Sequence, residues 1–253
     1  MRRLVRTALP ERVRGYLAKK QREVDSGKSP EVVWKRARST QTMGCVVDEL
    51  RQMVGARGRC MFCEDSRGVD IDHFWPKARY PERTFLWENL LLICSGCNRK
   101  KGERFELDAN GSPLLIDPTR DDPWDHLYYD SETGIVTACF IPATGEPDPR
   151  AQYTVERSNL PVNIQPVTEG RLRTQRNLIR CVGRFLEVSN PPGGRRALEQ
   201  ELRECLDDNS DYGLSTWFFS RDGQNEPPFS KLRHAAGDVW DRLADHVGVH
   251  GFV

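Results

Sequence analysis

The sequence predicts an α+β chain, in which a short metal-braced strand–loop–helix segment is set between an N-terminal helical segment and a mainly helical C-terminal region. Three observations predict it. Two C-x-x-C pairs occur, Cys60/Cys63 in "CMFC" and Cys94/Cys97 in "CSGC". The stretch between them alternates and then becomes apolar, as short strands do. On either side, apolar residues recur at helical spacing. The predicted boundaries are 1–57, 58–120 and 121–253.

A chain of 253 residues that is 38% hydrophobic and 30% charged can bury the core of one large domain or two small ones. No apolar run approaches the roughly 18 residues of a membrane span, so no membrane contact is expected. "MRRLVRTALPERVRGYL" is basic but lacks the apolar stretch and small-residue cleavage site of a secretory signal, and a cytoplasmic location is expected. A net charge of +1 argues against a generally adhesive nucleic-acid binder. The charge is uneven, however: residues 1–60 hold 15 Lys+Arg against 6 Asp+Glu. Such a segment attracts a polyanion locally or is simply a solvated helical face, and asymmetry alone favours the second.

Each element has a local reason. Glu11 to Asp25 reads as a weak helix. "SPEVVWKRARSTQTMGCVVDELRQMVG" reads as one helix from Ser29 to about Gly55, with Ser29 as cap, Pro30 in the first turn and Gly55 at the end. Met43, Val46, Val47, Leu50 and Val54 form its buried stripe. "HLYYDSETGIVTACF" predicts a hairpin turning near Ser131–Gly134. From about Glu169 the pattern is helical in three stretches, the second following Pro191-Pro192-Gly193-Gly194. His126, His234, His246 and His250 are scattered, as surface or capping histidines are.

A reducing compartment does not favour a disulfide framework, so Cys45, Cys139, Cys181 and Cys205, isolated among apolar neighbours, are expected to be small core residues. The two pairs are different. Cys60, Cys63, Cys94 and Cys97 can present four thiolates tetrahedrally, as a closed zinc site requires. Four buried free thiols, or two redox motifs, are the alternatives. The gap from Cys63 to Cys94 exceeds the common zinc-ribbon spacing, so something folded must lie between. Zinc binding supplies on the order of 10 kcal/mol in small zinc peptides, and a segment with so little core needs such a brace.

Inside that gap, "VDIDHFWPK" places Asp72 and His73 together where a strand is expected to end near Pro76. A histidine beside a carboxylate is a metal site, a general base with its orienting group, or an ordinary solvated turn. Asn89 opens "LLLI", and Asn98 follows Cys97 at the start of a helix. Because strand neighbours face opposite sides, Asp72 and His73 can flank one phosphate only if the strand breaks or twists there, or if substrate runs between them. Asp70 is an accessory acid or a surface residue, and the second is preferred. Phe85 and Trp87 are expected in the core, while Trp75 could stack on a base.

The segment from Cys60 to about Leu107 resembles the HNH endonuclease module, the ββα-metal fold, in its four-cysteine form. The Asp-His doublet, the central Asn and the "CxxCNxxKG" ending carry the likeness, with Asn98 where the family name has its last His. "HFWPKARYPERTFLWENLLLICSGCNRKKG" and "LLIDPTRDDPWDHL" are similar, more narrowly, to the HNH component of Septu-type and retron-linked antiphage systems. The resemblance implies a metal-dependent DNA endonuclease of a bacterial defence system, working with an ATPase partner. It implies His73 as water-activating base and Asp72 and Asn98 as ligands of a catalytic Mg²⁺ or Mn²⁺. Asn89 would hold the loop that orients His73, and Cys60, Cys63, Cys94 and Cys97 would hold a structural Zn²⁺. Lys77, Arg99, Lys100 and Lys101 lie around the motif as candidate phosphate contacts or as solvated lysines and arginines. The competing class is a non-catalytic zinc module that binds nucleic acid or protein, which has no use for a base beside a hard-metal ligand.

Overall fold

Ser29 and Thr40 each cap a helix, and so the region read as one helix is two. The computed structural model describes residues 1–188 and 194–248; Pro191, Pro192, Gly193 and His250 lie outside the described residues. Helix α1 covers Glu11–Asp25, α2 Pro30–Ala37 and α3 Gln41–Val54. The Ser29 side chain accepts from the Val32 N–H, and the Thr40 side chain accepts from the Met43 N–H, both at 3.4 Å. That second cap, drawn from the polar "RST", starts α3 afresh, because a threonine oxygen satisfies an orphan N–H as well as another helical turn would. Gly55 closes α3 at φ 77°, a conformation suited to glycine.

Strand β1, Asp70–His73, pairs antiparallel with β2, Leu90–Ile93, in the register Asp70↔Ile93 to His73↔Leu90. All four β2 residues are buried, as a continuous apolar strand should be. Helix α4, Ser95–Lys101, follows immediately and completes a β-β-α unit. A second hairpin joins β3, Leu127–Tyr129, to β4, Val136–Ala138, and α5 spans Pro149–Gln152.

The chain separates into two compact units. The first holds Arg3–Tyr128 and Val136–Ile164 and contains everything from α1 to α4. Within it, Phe62, Phe74, Phe85, Phe105 and β2 form the core, with Met43 and Leu50 of α3. The second holds Tyr129–Ile135 and residues from Gln165 onward. It is built of α6 (Gln165–Glu187), α7 (Arg195–Asp208), α8 (Leu214–Ser220), α9 (Phe229–Ala235) and α10 (Gly237–His246). Leu178, Val182, Leu202, Leu206 and Leu243 line its core, and Phe218 stacks on Phe229 at 4.1 Å.

The isolated cysteines depart from expectation. Cys181 of α6 and Cys205 of α7 form a disulfide, and Cys45 and Cys139 are half-buried. A sequence separation of 24 hides the first pair, because only the antiparallel return of α7 brings the two turns together. No helix among the described residues is long and apolar enough to cross a membrane.

Candidate active site

The four paired cysteines converge. Their sulfurs lie within 4.8 Å of one another and all four residues are buried. Cys63 and Cys94 sulfurs are 3.9 Å apart. A tetrahedron of thiolates at a Zn–S distance of about 2.3 Å has an edge of about 3.8 Å, so the donor set fits zinc without rearrangement. Each turn is shaped for this. The Cys94 sulfur accepts from the Cys97 N–H at 3.3 Å, the Glu64 N–H donates to the Cys60 carbonyl at 3.0 Å, and the Met61 N–H donates to Leu92 of β2 at 2.9 Å. The sulfurs polarise one another. Hydrogen bonds from Cys60 hold the Cys63 and Cys94 thiols down, while the Cys60 thiol is pushed up, chiefly by its bond to Cys63. The four cysteines form a cluster that fits zinc.

The doublet Asp72–His73 lies on the clipped hairpin. β1 keeps regular register through His73, so no break falls between the two residues and they face opposite ways. Toward α4, Asp72 Oδ2 lies 2.9 Å from Lys101 Nζ, and the Asn98 amide lies 3.5 Å from Asp70 Oδ2. Asp72 Oδ2 makes no well-directed hydrogen bond, so its contact with Lys101 is Coulombic rather than directional. Lys101 also donates to the His73 carbonyl at 3.0 Å and is only 1% exposed. It is therefore turned inward and is no phosphate contact, because α4 places residues 98 and 101 on the face packed against β1. Asp70 is a half-buried strand residue, not a solvated turn. Lys77 is half-buried, and Arg99 and Lys100 are exposed.

On the other face the His73 ring is 5% exposed and meets the Trp34 ring of α2 edge-on at 4.4 Å. Its Nε2 lies 3.0 Å from the Thr84 carbonyl oxygen. A carbonyl only accepts, so Nε2 carries the proton and Nδ1 keeps its lone pair. Burial, the largest cause, holds the imidazolium pKa down to about 3, so the ring is neutral near pH 7. Asn89 pins the chain directly after it. Its Oδ1 accepts from the Trp75 N–H at 2.7 Å, and its amide donates to Trp75 and Arg83 carbonyls at 3.1 and 2.8 Å. Phe85 is in the core, whereas Trp87 is half-buried, donating to the Thr7 carbonyl at 3.0 Å.

A β-β-α hairpin clipped by four cysteines, with Asp-His at the end of its first strand, has a counterpart among known families. Residues 59–104 match the family model described as HNH endonuclease. This segment is similar to HNH domains. Septu protein PtuB of Bacillus thuringiensis is 36% identical over 77 residues, which is 28% of this chain and 28% of that protein. Septu protein PtuB of Bacillus mycoides (strain KBAB4) is 31% identical, across 31% of this chain and 37% of that protein. Protein ea31 of Escherichia phage lambda is 40% identical over 58 residues, 22% of this chain and 20% of its own length. The chain thus spans well under half of the length of these relatives. No solved structure gives a match of comparable strength.

Three residues packed on the hairpin and its loop escaped the sequence. Trp34 and Gln21 come from α2 and α1, and Arg6 donates to the carbonyls of Trp87, Glu88 and Leu90 at 2.8–3.1 Å, around Asn89. Gln21 alone left a trace: it interrupts the buried stripe Val13, Leu17, Gln21, Val24 with a polar group.

Proposed function

We propose that the chain is a metal-dependent nuclease that hydrolyses phosphodiester bonds of DNA, as the effector of an antiphage defence system with an ATPase partner, in the cytoplasm. The observation that carries the reading is the state of His73: a neutral imidazole whose Nε2–H is committed to the Thr84 carbonyl, leaving Nδ1 as the proton acceptor, on the hairpin of an HNH-like segment. In this reading His73 takes a proton from the attacking water, and Asn89 holds the strand exit that aims it. Asp72 and Asn98 supply hard oxygen donors suited to Mg²⁺ or Mn²⁺. That ion would stabilise charge on the phosphoryl oxygens and the departing 3′ oxygen. Lys77, Arg99 and Lys100 remain as candidate phosphate contacts. The likeness to the two Septu proteins supports the defence role, and the partner is what the resemblance to Septu-type systems implies.

Because Asp72 and His73 face opposite sides of an unbroken strand, the reading requires substrate to run between them. Two further requirements follow. With the ring 5% exposed, His73 must be uncovered before water reaches Nδ1, and Asp72 must leave Lys101 to take a cation. The same two facts favour the second reading, a zinc module that binds nucleic acid or protein without cutting. Digestion separates them: plasmid DNA, single-stranded DNA and RNA with Mg²⁺ or Mn²⁺, each with and without the ATPase. The nuclease reading expects cleavage that His73→Ala reduces about 10²–10⁴-fold. No cleavage under any combination, with nucleic acid still bound, establishes the binder instead.

A further inference from the structure

His73 owes its tautomer to a main-chain oxygen, and a main-chain oxygen points where its peptide plane points. The Thr84 carbonyl and the Phe85 N–H belong to one planar peptide unit, so whatever holds that N–H aims the oxygen on the opposite edge. The group that holds it comes from outside the HNH segment. Gln21 of α1, 8% exposed, accepts from the Phe85 N–H through Oε1 at 2.8 Å. Its amide nitrogen donates to the Pro81 carbonyl at 3.1 Å and to Asp25 Oδ1 at 2.8 Å. Pro81 also receives the Thr84 N–H and hydroxyl, so one side-chain amide ties both ends of the turn that carries Thr84. An amide is suited to this, because it accepts and donates from adjacent atoms without charge. Thr84 and Phe85 are buried, so an unheld N–H there would have no water to take the place of Gln21.

We propose that Gln21 is a positioning residue for His73: by fixing the Thr84–Phe85 peptide plane it keeps the proton on Nε2 and the lone pair on Nδ1. The proposal rests on the reading of His73 as the base. Its consequence is that the N-terminal helical segment is part of the nuclease's working parts. An HNH segment cut out at residues 59–104 would lack the group that orients its own histidine.

The test uses the full chain, zinc-loaded and labelled with ¹⁵N-histidine, with the His73 signals identified by their loss in His73→Ala. Wild type is expected to show the Nε2–H tautomer. Gln21→Met keeps the volume and removes all three hydrogen bonds. It is expected to mix the tautomers and to lower kcat about 10–100-fold, the usual scale for an outer partner of a functional histidine, with KM within about two-fold and zinc content unchanged. Gln21→Glu, which burial beside Asp25 favours in its protonated form, keeps an oxygen for the Phe85 N–H and a hydroxyl donor for the Pro81 or Asp25 oxygen, and is expected to retain the tautomer and most of the rate. An unchanged tautomer in Gln21→Met overturns the proposal. So does equal loss in Gln21→Glu and Gln21→Met, which would mark Gln21 as general packing. If Gln21→Met does not fold, retention of the tautomer by Gln21→Glu supports the proposal and its loss overturns it. A wild type that cuts nothing counts against the nuclease, while the tautomer comparison still decides the link to Gln21.

Discussion

Replacing Lys101 by Met should destabilise the first unit more than a cavity argument allows, because it strands a carboxylate. Lys101 Nζ lies 2.9 Å from Asp72 Oδ2, with side-chain exposures of 1% and 14%. At that distance the attraction is about 6 kcal/mol for an effective dielectric of about 20, before either ion's desolvation is subtracted. Removing one partner of a buried pair costs about 3–5 kcal/mol. Asp72 retains some water and the contact is poorly directed, so about 2–3 kcal/mol is the expected loss. Asp72→Asn should cost a similar amount by leaving the more deeply buried cation uncompensated. The double variant Lys101→Met/Asp72→Asn leaves no charge and should be more stable than the sum of the singles predicts, by about 2 kcal/mol. Urea unfolding of the four zinc-loaded proteins, with tryptophan fluorescence as the signal, measures this cycle. Additive losses, within about 0.5 kcal/mol, would refute the idea that the pair is a coupled unit inside the hairpin.

Three further outcomes are expected. Wild type is expected to carry one zinc per chain, and Cys97→Ser, or a strong chelator, should abolish it and unfold the hairpin, since the donor set contributes on the order of 10 kcal/mol; zinc release read against circular dichroism checks it. Gly170→Ala should destabilise the second unit by about 1–3 kcal/mol, because the new Cβ would lie 2.1 Å from the Tyr212 hydroxyl oxygen; a thermal melt matching wild type would contradict the packing of α6. Glu199 accepts from Arg242 Nε and Nη2 at 3.0 and 2.8 Å, and these bonds hold its carboxyl down to about 2. Its folded pKa lies below the unfolded value of about 4.3, so its contribution is complete above that value and is lost as pH falls toward about 2. Glu199→Gln should therefore flatten the acid limb of the second unit's stability, followed as melting temperature between pH 5 and 2.

The cysteine cluster was legible because it needs only like residues at tight spacing, and a C-x-x-C turn is local. The helix caps were legible for the same reason, except where Thr40 restarted a helix that its neighbours would have continued. Within the site, sequence gave residue types and tertiary contacts gave their condition. Asp72 and His73 could be named, yet whether β1 breaks between them depends on its pairing with β2. Lys101 read as a surface cation until α4 was laid against β1 and turned it inward.

What the sequence by itself determined is the convergence of four paired cysteines, the residue types Asp72, His73, Asn89 and Asn98 offered beside them, and the amphipathic helices around them. Only the tertiary structure decided that His73 lies beneath Trp34 with its proton on Nε2, and that Gln21 braces its carbonyl partner. It also decided that Cys181 meets Cys205. The physical reason is reach. Metal turns, caps and stripes depend on neighbours within a few residues, whereas burial and hydrogen-bond partners are set by segments that only packing brings together, as Gln21 and Phe85 are from 64 residues apart.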